Sequence, residues 1–207
     1  KRGIVLIFDE CSSGFRESFG GIFNNYSIYP DMVMFGKTIG NGYALTAVVG
    51  IESIMRFAQE TFISSTFWTE RIGFVAALKT IEILVKEKVW RHLTYIGNLI
   101  GEGWLNLAEK HGLKLNVTDF KPLITMQLDY GELNSAVITL FTQEMLKRGY
   151  LAAQSVYVSF SHNEEIVEEY LNNVDEVFHF LSDSINSENV MERLEIRVRN
   201  EGFKRLN

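Results

Sequence analysis

A chain of 207 residues, 46% hydrophobic and 22% charged, has the length for one large domain or two small ones and the composition of a folded globular protein. Its net charge of −6, without a concentrated basic stripe, argues against a nucleic-acid-binding surface. A single cysteine, Cys11, excludes an internal disulfide and makes a reducing compartment, the cytoplasm, the default.

Lys1-Arg2 leads straight into an apolar run, without a small-residue cleavage site. The chain thus opens inside what reads as a core strand, and it is expected to be the second part of a longer polypeptide. Gly3 to Phe8 is continuously apolar, the pattern of a strand covered on both faces. Asp9 to Pro30 is rich in Gly, Ser, Asn and aromatics and reads as an irregular excursion with one short helix. Met32 to Phe35 and Ala44 to Ile51 read as two further strands, and Glu52 to Ala58 as a helical turn or two. A polar loop at Ser64 to Thr69 precedes a helix from Glu70 to about Lys86, whose expected face is Ile72, Val75, Ala76, Leu78, Ile81, Ile83 and Leu84. A second helix is expected from Val89 to Lys110, stopped by Gly112. Leu113 to Asp119, Leu123 to Leu128 and Tyr150 to Ser159 read as strands, and Ser135 to Lys147 as a helix. Ser161-His-Asn-Glu164 has the form of a capping box with serine as the cap, opening a last helix over 163–182. The whole is expected to be α/β, closing in a small α+β lobe. Residues 186–207 are charged and weakly patterned and read as a tail or linker.

Two residues carry the chemistry. Asp9 ends the first apolar run and Lys37 follows the second. An amine and a carboxylate at neighbouring strand ends are what a pyridoxal phosphate site requires: the amine forms a Schiff base, and the carboxylate keeps the pyridine nitrogen protonated. Gly36, Gly40 and Gly42 let the backbone turn beside the lysine and approach a planar ligand. Gly36-Lys37-Thr38 also has the form of a P-loop ending, but that motif needs glycine where Asp31 stands, and an acid there repels phosphate. Ser64, Ser65 and Thr66, ahead of a helix start, form either a phosphate site or ordinary caps. Cys11, Ser12 and Ser13 lack the turn of a catalytic nucleophile. The four histidines have no metal-ligand spacing, so no metal is expected.

Three segments, in this order, resemble the class III, fold-type I pyridoxal-phosphate aminotransferases: Leu6-Ile-Phe-Asp-Glu-Cys-Ser-Ser-Gly-Phe-Arg16, Pro30-Asp-Met-Val-Met-Phe-Gly-Lys-Thr-Ile-Gly-Asn-Gly42, and Ser65-Thr-Phe67 before a long helix. Gly14-Phe-Arg16 and Ser159-Phe-Ser-His-Asn-Glu-Glu165 resemble the glutamate-1-semialdehyde aminomutase branch in particular. The resemblance implies the C-terminal part of a large domain with a mostly parallel sheet, plus a small lobe. Residues 1–88 would complete the large domain, 89–111 connect, and 112–185 form the lobe. It implies amino-group transfer between a small amino donor and a carbonyl acceptor, with Lys37 as the Schiff-base lysine and proton carrier and Asp9 as partner of the ring nitrogen. It further implies that Ser12 and Ser65 lie at the cofactor. Thr66 would bind the phosphate of a neighbouring subunit, in a homodimer whose sites span the interface. Ser12 stands where many members have glutamine near the cofactor's phenolic oxygen. The rival expectation is a truncated fold-type I piece with a structural or interaction role and no catalysis.

Overall fold

The computed structural model describes residues 3–200, which fall into two compact units that divide after Thr94. The first unit is built on a three-stranded sheet in the order β1–β2–β3. Strand β1 (Ile7–Glu10) pairs parallel with β2 (Met32–Phe35), and β2 pairs antiparallel with β3 (Ala47–Gly50). The parallel register sets Asp9 opposite Met34 and Glu10 opposite Phe35. It is locked upstream, where the Asp31 carboxylate accepts from the Leu6 amide at 2.8 Å and the Leu6 carbonyl accepts from Asp31.

The apolar run at residues 3–8 is expected to be covered on both faces. Here Ile4, Val5, Leu6 and Ile7 are exposed, and the ladder begins only at Ile7. The buried residues of this unit include Val33, Phe35, Phe15 and Ile39. The Phe15 and Phe35 rings pack 5.1 Å apart, and Phe19 carries the cluster on to Trp90 at 5.6 Å. Phe15 is thus a loop-core residue, while Tyr26 and Tyr29 of the same excursion are exposed.

After β3 come a single helical turn, α1 (Glu52–Met55), and a 3₁₀ turn to Glu60. Helix α2 (Ile72–Glu87) follows, and its buried side is Gly73, Ala77 and Leu84. Ile72, Val75 and Leu78, expected on the core face, point to solvent. The reason is backbone proximity. A methyl on Gly73 would lie 2.6 Å from the Ala44 carbonyl oxygen, so the helix can approach Ala44 only along its glycine edge.

Helix α3 (Val89–His111) spans the division between the units. It stops at Gly112, which takes φ +67°, as the sequence leads one to expect. The second unit holds an antiparallel sheet of β4 (Leu115–Val117), β5 (Leu123–Leu128) and β6 (Ser155–Tyr157), with α4 (Asn134–Lys147) and α5 (Glu164–Asn186). Its core includes Trp104, Ile124, Leu140, Phe141, Val174, Phe178 and Leu181. The cap of α5 is Asn163, whose Oδ1 accepts from the Ile166 amide at 2.9 Å, and not Ser161. Glu164, expected to reach back to the cap, instead accepts from the Tyr95 hydroxyl at 2.5 Å.

Residues 187–200, whose charge reads as a tail, lie back on α4 and α5. Val190 is buried, Arg193 stacks on Phe180, and Gln143 bonds both the Arg193 carbonyl and the Glu195 amide. The remainder of the segment, residues 201–207, lies outside the described residues, as do Lys1 and Arg2.

Candidate active site

The parallel ladder, with an offset of 25 residues, ends at Glu10 and Phe35, and side-chain contacts join the turns that follow. Cys11 lies beside Gly36, where its Sγ would sit 3.4 Å from a methyl placed on the glycine. Ser12 meets Lys37, and the lysine Nζ donates to Ser12 Oγ at 2.6 Å. Local folding places the amine there. Lys37 holds the left-handed φ of +41°, unusual for a side-chain-bearing residue, and begins a 3₁₀ turn through Ile39. The turn is fixed by bonds from Ile39 to the Gly36 carbonyl and from Asn41 to the Lys37 carbonyl. Gly40 is required because a methyl would lie 2.3 Å from the Tyr43 carbonyl oxygen. Gly42, at φ +100°, lets the chain reverse toward β3.

Asp9 stands exposed at the end of β1, its Oδ1 accepting the Cys11 amide at 3.0 Å. That amide bond, then the Cys11 thiol and more weakly the Lys37 charge, holds the carboxyl below the usual carboxylate range; slight burial opposes them. The same contact with Asp9 pushes the Cys11 thiol up, so it is a poor nucleophile. No ion pair joins Asp9 to Lys37 among the described residues.

Glu10 does a different job, which the sequence reading left unassigned. It is 1% exposed, and its carboxylate accepts from the Ser13 hydroxyl and, at 3.4 Å, from the Phe23 amide. Its carbonyl accepts from Gly14 at 2.8 Å. One acid thus ties both ends of the 11–23 excursion that carries Ser12. The available signal was an acid ending an apolar run and followed by hydroxyls. Beside Lys37, the Thr38 hydroxyl is buried without a hydrogen-bond partner among the described residues.

The free helix-end amides expected next to Ser64 to Thr66 are occupied here. The first amides of α2 are taken by the Glu70 carboxylate, from Ile72 at 2.7 Å and Gly73 at 3.1 Å. An anion there would meet a carboxylate and filled donors. Ser65 and Thr66 lie earlier, in an exposed turn where Ser65 Oγ accepts from Phe67 and the Ser65 carbonyl from Trp68. No hydrogen bond links either residue to Lys37, Asp9 or Ser12 among the described residues.

The second unit holds a cavity of about 390 Å³ lined by Ile100, Tyr150, Ser155, Tyr157, His162 and Tyr170, among others; it contains none of these site residues. Among the described residues there is no cluster of metal-ligating side chains, and no helix is long and apolar enough to cross a membrane.

Comparison with known proteins agrees with this reading of the strands. Residues 1–120 match the family described as aminotransferase class-III. The chain is 34% identical over 166 residues to the 3-aminobutyryl-CoA aminotransferase of Cloacimonas acidaminovorans, covering 78% of this chain and 40% of that protein. It is 29% identical over 194 residues to the glutamate-1-semialdehyde 2,1-aminomutase of Neisseria gonorrhoeae, covering 86% and 45%. It shares its fold with the FumI protein of Sphingopyxis sp. MTA144, at a TM-score of 0.82 and 23% identity over 89% of this chain and 45% of that one. The chain spans less than half the length of the curated relatives it matches. On the match of the family to more than half of its residues, the chain belongs to the class III aminotransferases.

Proposed function

We propose that the protein containing this chain is a pyridoxal-phosphate-dependent aminotransferase or aminomutase, moving an amino group between a small amino donor and a carbonyl acceptor. The observation that carries this reading is the placement of the Lys37 amine on Ser12, one strand away from an Asp9 carboxylate held ionised. The donor set fits the cofactor: an amine for its carbonyl, and an exposed anion for its ring nitrogen. When bound, the cofactor supplies an electron sink for the carbon that bears the amino group. Lys37 is its covalent anchor and then the base that carries a proton. Asp9 holds the charge that keeps the ring nitrogen protonated. Ser12 lies beside the anchor, and Ser65 and Thr66, free of contact with it here, serve the phosphate of a neighbouring subunit.

That last assignment makes the protein a homodimer with a site across its interface. The exposed apolar side of α2, Ile72, Val75 and Leu78, supports extensive burial by further protein. Residues 1–88 belong to the cofactor-binding large domain, α3 connects, and residues 112–185 form the small lobe. We place the protein in the cytoplasm on its single cysteine.

The test is to incubate the intact protein with pyridoxal phosphate, reduce with borohydride, and map the modified lysine by peptide mass. Labelling confined to Lys37, and lost together with transamination in Lys37→Ala, is the expected result. Full transamination by Lys37→Ala overturns the assignment. Specific labelling without amino transfer to any carbonyl acceptor would favour the non-catalytic reading, that of a fold-type I piece with an interaction role.

A further inference from the structure

The bond from Lys37 to Ser12 gives serine a role of its own, apart from any contact with the cofactor. We infer that Ser12 is a positioning residue for Lys37, its hydroxyl holding the amine at the end of β1 so that an incoming carbonyl compound meets it in one orientation. The inference rests on Lys37 being the cofactor lysine and concerns what holds that lysine before the cofactor arrives.

Three observations support it. The Nζ–Oγ separation is 2.6 Å, a full hydrogen bond rather than an approach. Both ends of the bond are fixed by backbone. Lys37 is set by its left-handed φ and the 3₁₀ turn after it, and Ser12 by an excursion tied at Glu10. The bond also joins the two segments that leave the paired strands just past Glu10 and Phe35. A flexible lysine that met a serine by chance would not need the strained backbone.

The choice of a hydroxyl has chemical consequences. A hydroxyl carries one donor and two acceptor sites. It accepts an N–H from the ammonium and equally from the neutral amine, so its hold survives the proton loss that attack on a carbonyl requires and leaves the nitrogen lone pair free. A carboxylate at position 12 would only accept and would favour the charged amine. Alanine would release the amine to solvent, since Lys37 is an exposed residue.

The experiment uses the intact protein as wild type, Ser12→Ala and Ser12→Thr, with two readouts. The first is the rate at which added pyridoxal phosphate becomes fixed to Lys37 by borohydride. Loss of one hydrogen bond that orients a reacting group predicts about tenfold slower fixation in Ser12→Ala. Ser12→Thr, which keeps the hydroxyl, should stay within about twofold of wild type. The second is trace acetylation without cofactor, comparing Lys37 with Lys86, whose side chain is 75% exposed. Lys37 labelling should rise several-fold in Ser12→Ala and return in Ser12→Thr. Equal fixation and equal acetylation in all three proteins would overturn the inference, as would a threonine variant that behaves like alanine. Should wild type fix no cofactor at Lys37, the proposed function fails by itself, and the acetylation comparison still decides whether Ser12 holds the lysine.

Discussion

Removing the Glu10 carboxylate should loosen the excursion that presents Ser12 while leaving the sheet paired. The perturbation is Glu10→Ala, with Glu10→Gln as the graded control. Glu10 is buried and accepts two bonds, one from the Ser13 hydroxyl and a long one from the Phe23 amide at 3.4 Å. A bond to a charged acceptor contributes about 1.5–3 kcal/mol, with the long amide bond at the weak end. Relief of the buried charge offsets part of this loss. The net cost of alanine is about 2 kcal/mol, or about a thirtyfold larger population of the locally opened excursion. Glutamine keeps one acceptor oxygen and should cost about half as much. Hydrogen exchange read by mass spectrometry on peptides covering residues 11–23 measures this directly, with peptides from β2 as the internal reference. Unchanged exchange over 11–23 in Glu10→Ala would refute the role given to Glu10. Equal acceleration in β2 would also refute it, by showing that the whole unit had been destabilised.

Asp9→Asn should leave Lys37 able to fix the cofactor but lower amino-transfer turnover by about a hundredfold or more, since a neutral amide no longer fixes charge at the ring nitrogen; turnover within a few-fold of wild type contradicts the role. In the second unit Asp175 is held below the usual carboxylate range by the Lys110 bond first and the His111 bond next. Because its folded value is depressed, the stability it brings is present above about pH 4 and disappears as pH falls through the lowered folded value. Urea midpoints at pH 5 and pH 3 should therefore differ less in Asp175→Asn than in wild type, and an identical pH response would count against the cluster. Tyr170→Phe removes the acceptor of the Trp104 indole, which is 0% exposed and bonded at 3.2 Å. The orphaned N–H should cost about 1–2 kcal/mol, read as a lower thermal midpoint.

Strand β2, strand β5 and helix α3 were legible because their boundaries are set by local chemistry: Asp31 and Gly36 around Met32–Phe35, and Gly112 after His111. The placement of Asp9 and Lys37 at the ends of neighbouring strands was legible from their short apolar runs, but the bond that the lysine makes, to Ser12, was not. Which edge of α2 packs within this chain was legible only at Leu84. Counting apolar residues favours Ile72, Val75 and Leu78, whereas closeness to the Ala44 carbonyl selects the glycine edge, and a pattern of side chains does not register the room a missing side chain leaves. The occupant of the first α2 amides was hidden for a similar reason. Hydroxyls before a helix were visible in the sequence, but which group would reach the first amides depended on Glu70 turning back onto Ile72 and Gly73. Asn163 likewise took the cap from Ser161 because it stands one residue from the true helix start. At 187–200, charge spoke for a tail, while a few backbone bonds and the single apolar anchor Val190 decided the packing.

The ladder's offset of 25 also divides this stretch into places where chain length is free to vary and places where it is not. Residues 27–29 are exposed and lie between the 3₁₀ turn that ends at Tyr26 and the Asp31 lock, so residues can be gained or lost there without shifting either strand. A one-residue deletion inside 7–12 or 31–37 would slip the ladder, separating Leu6 from Asp31 or Ser12 from Lys37. Length variation tolerated in that loop and refused in its flanking strands would mark the chemistry of this site without any reference to which amino acids occupy it.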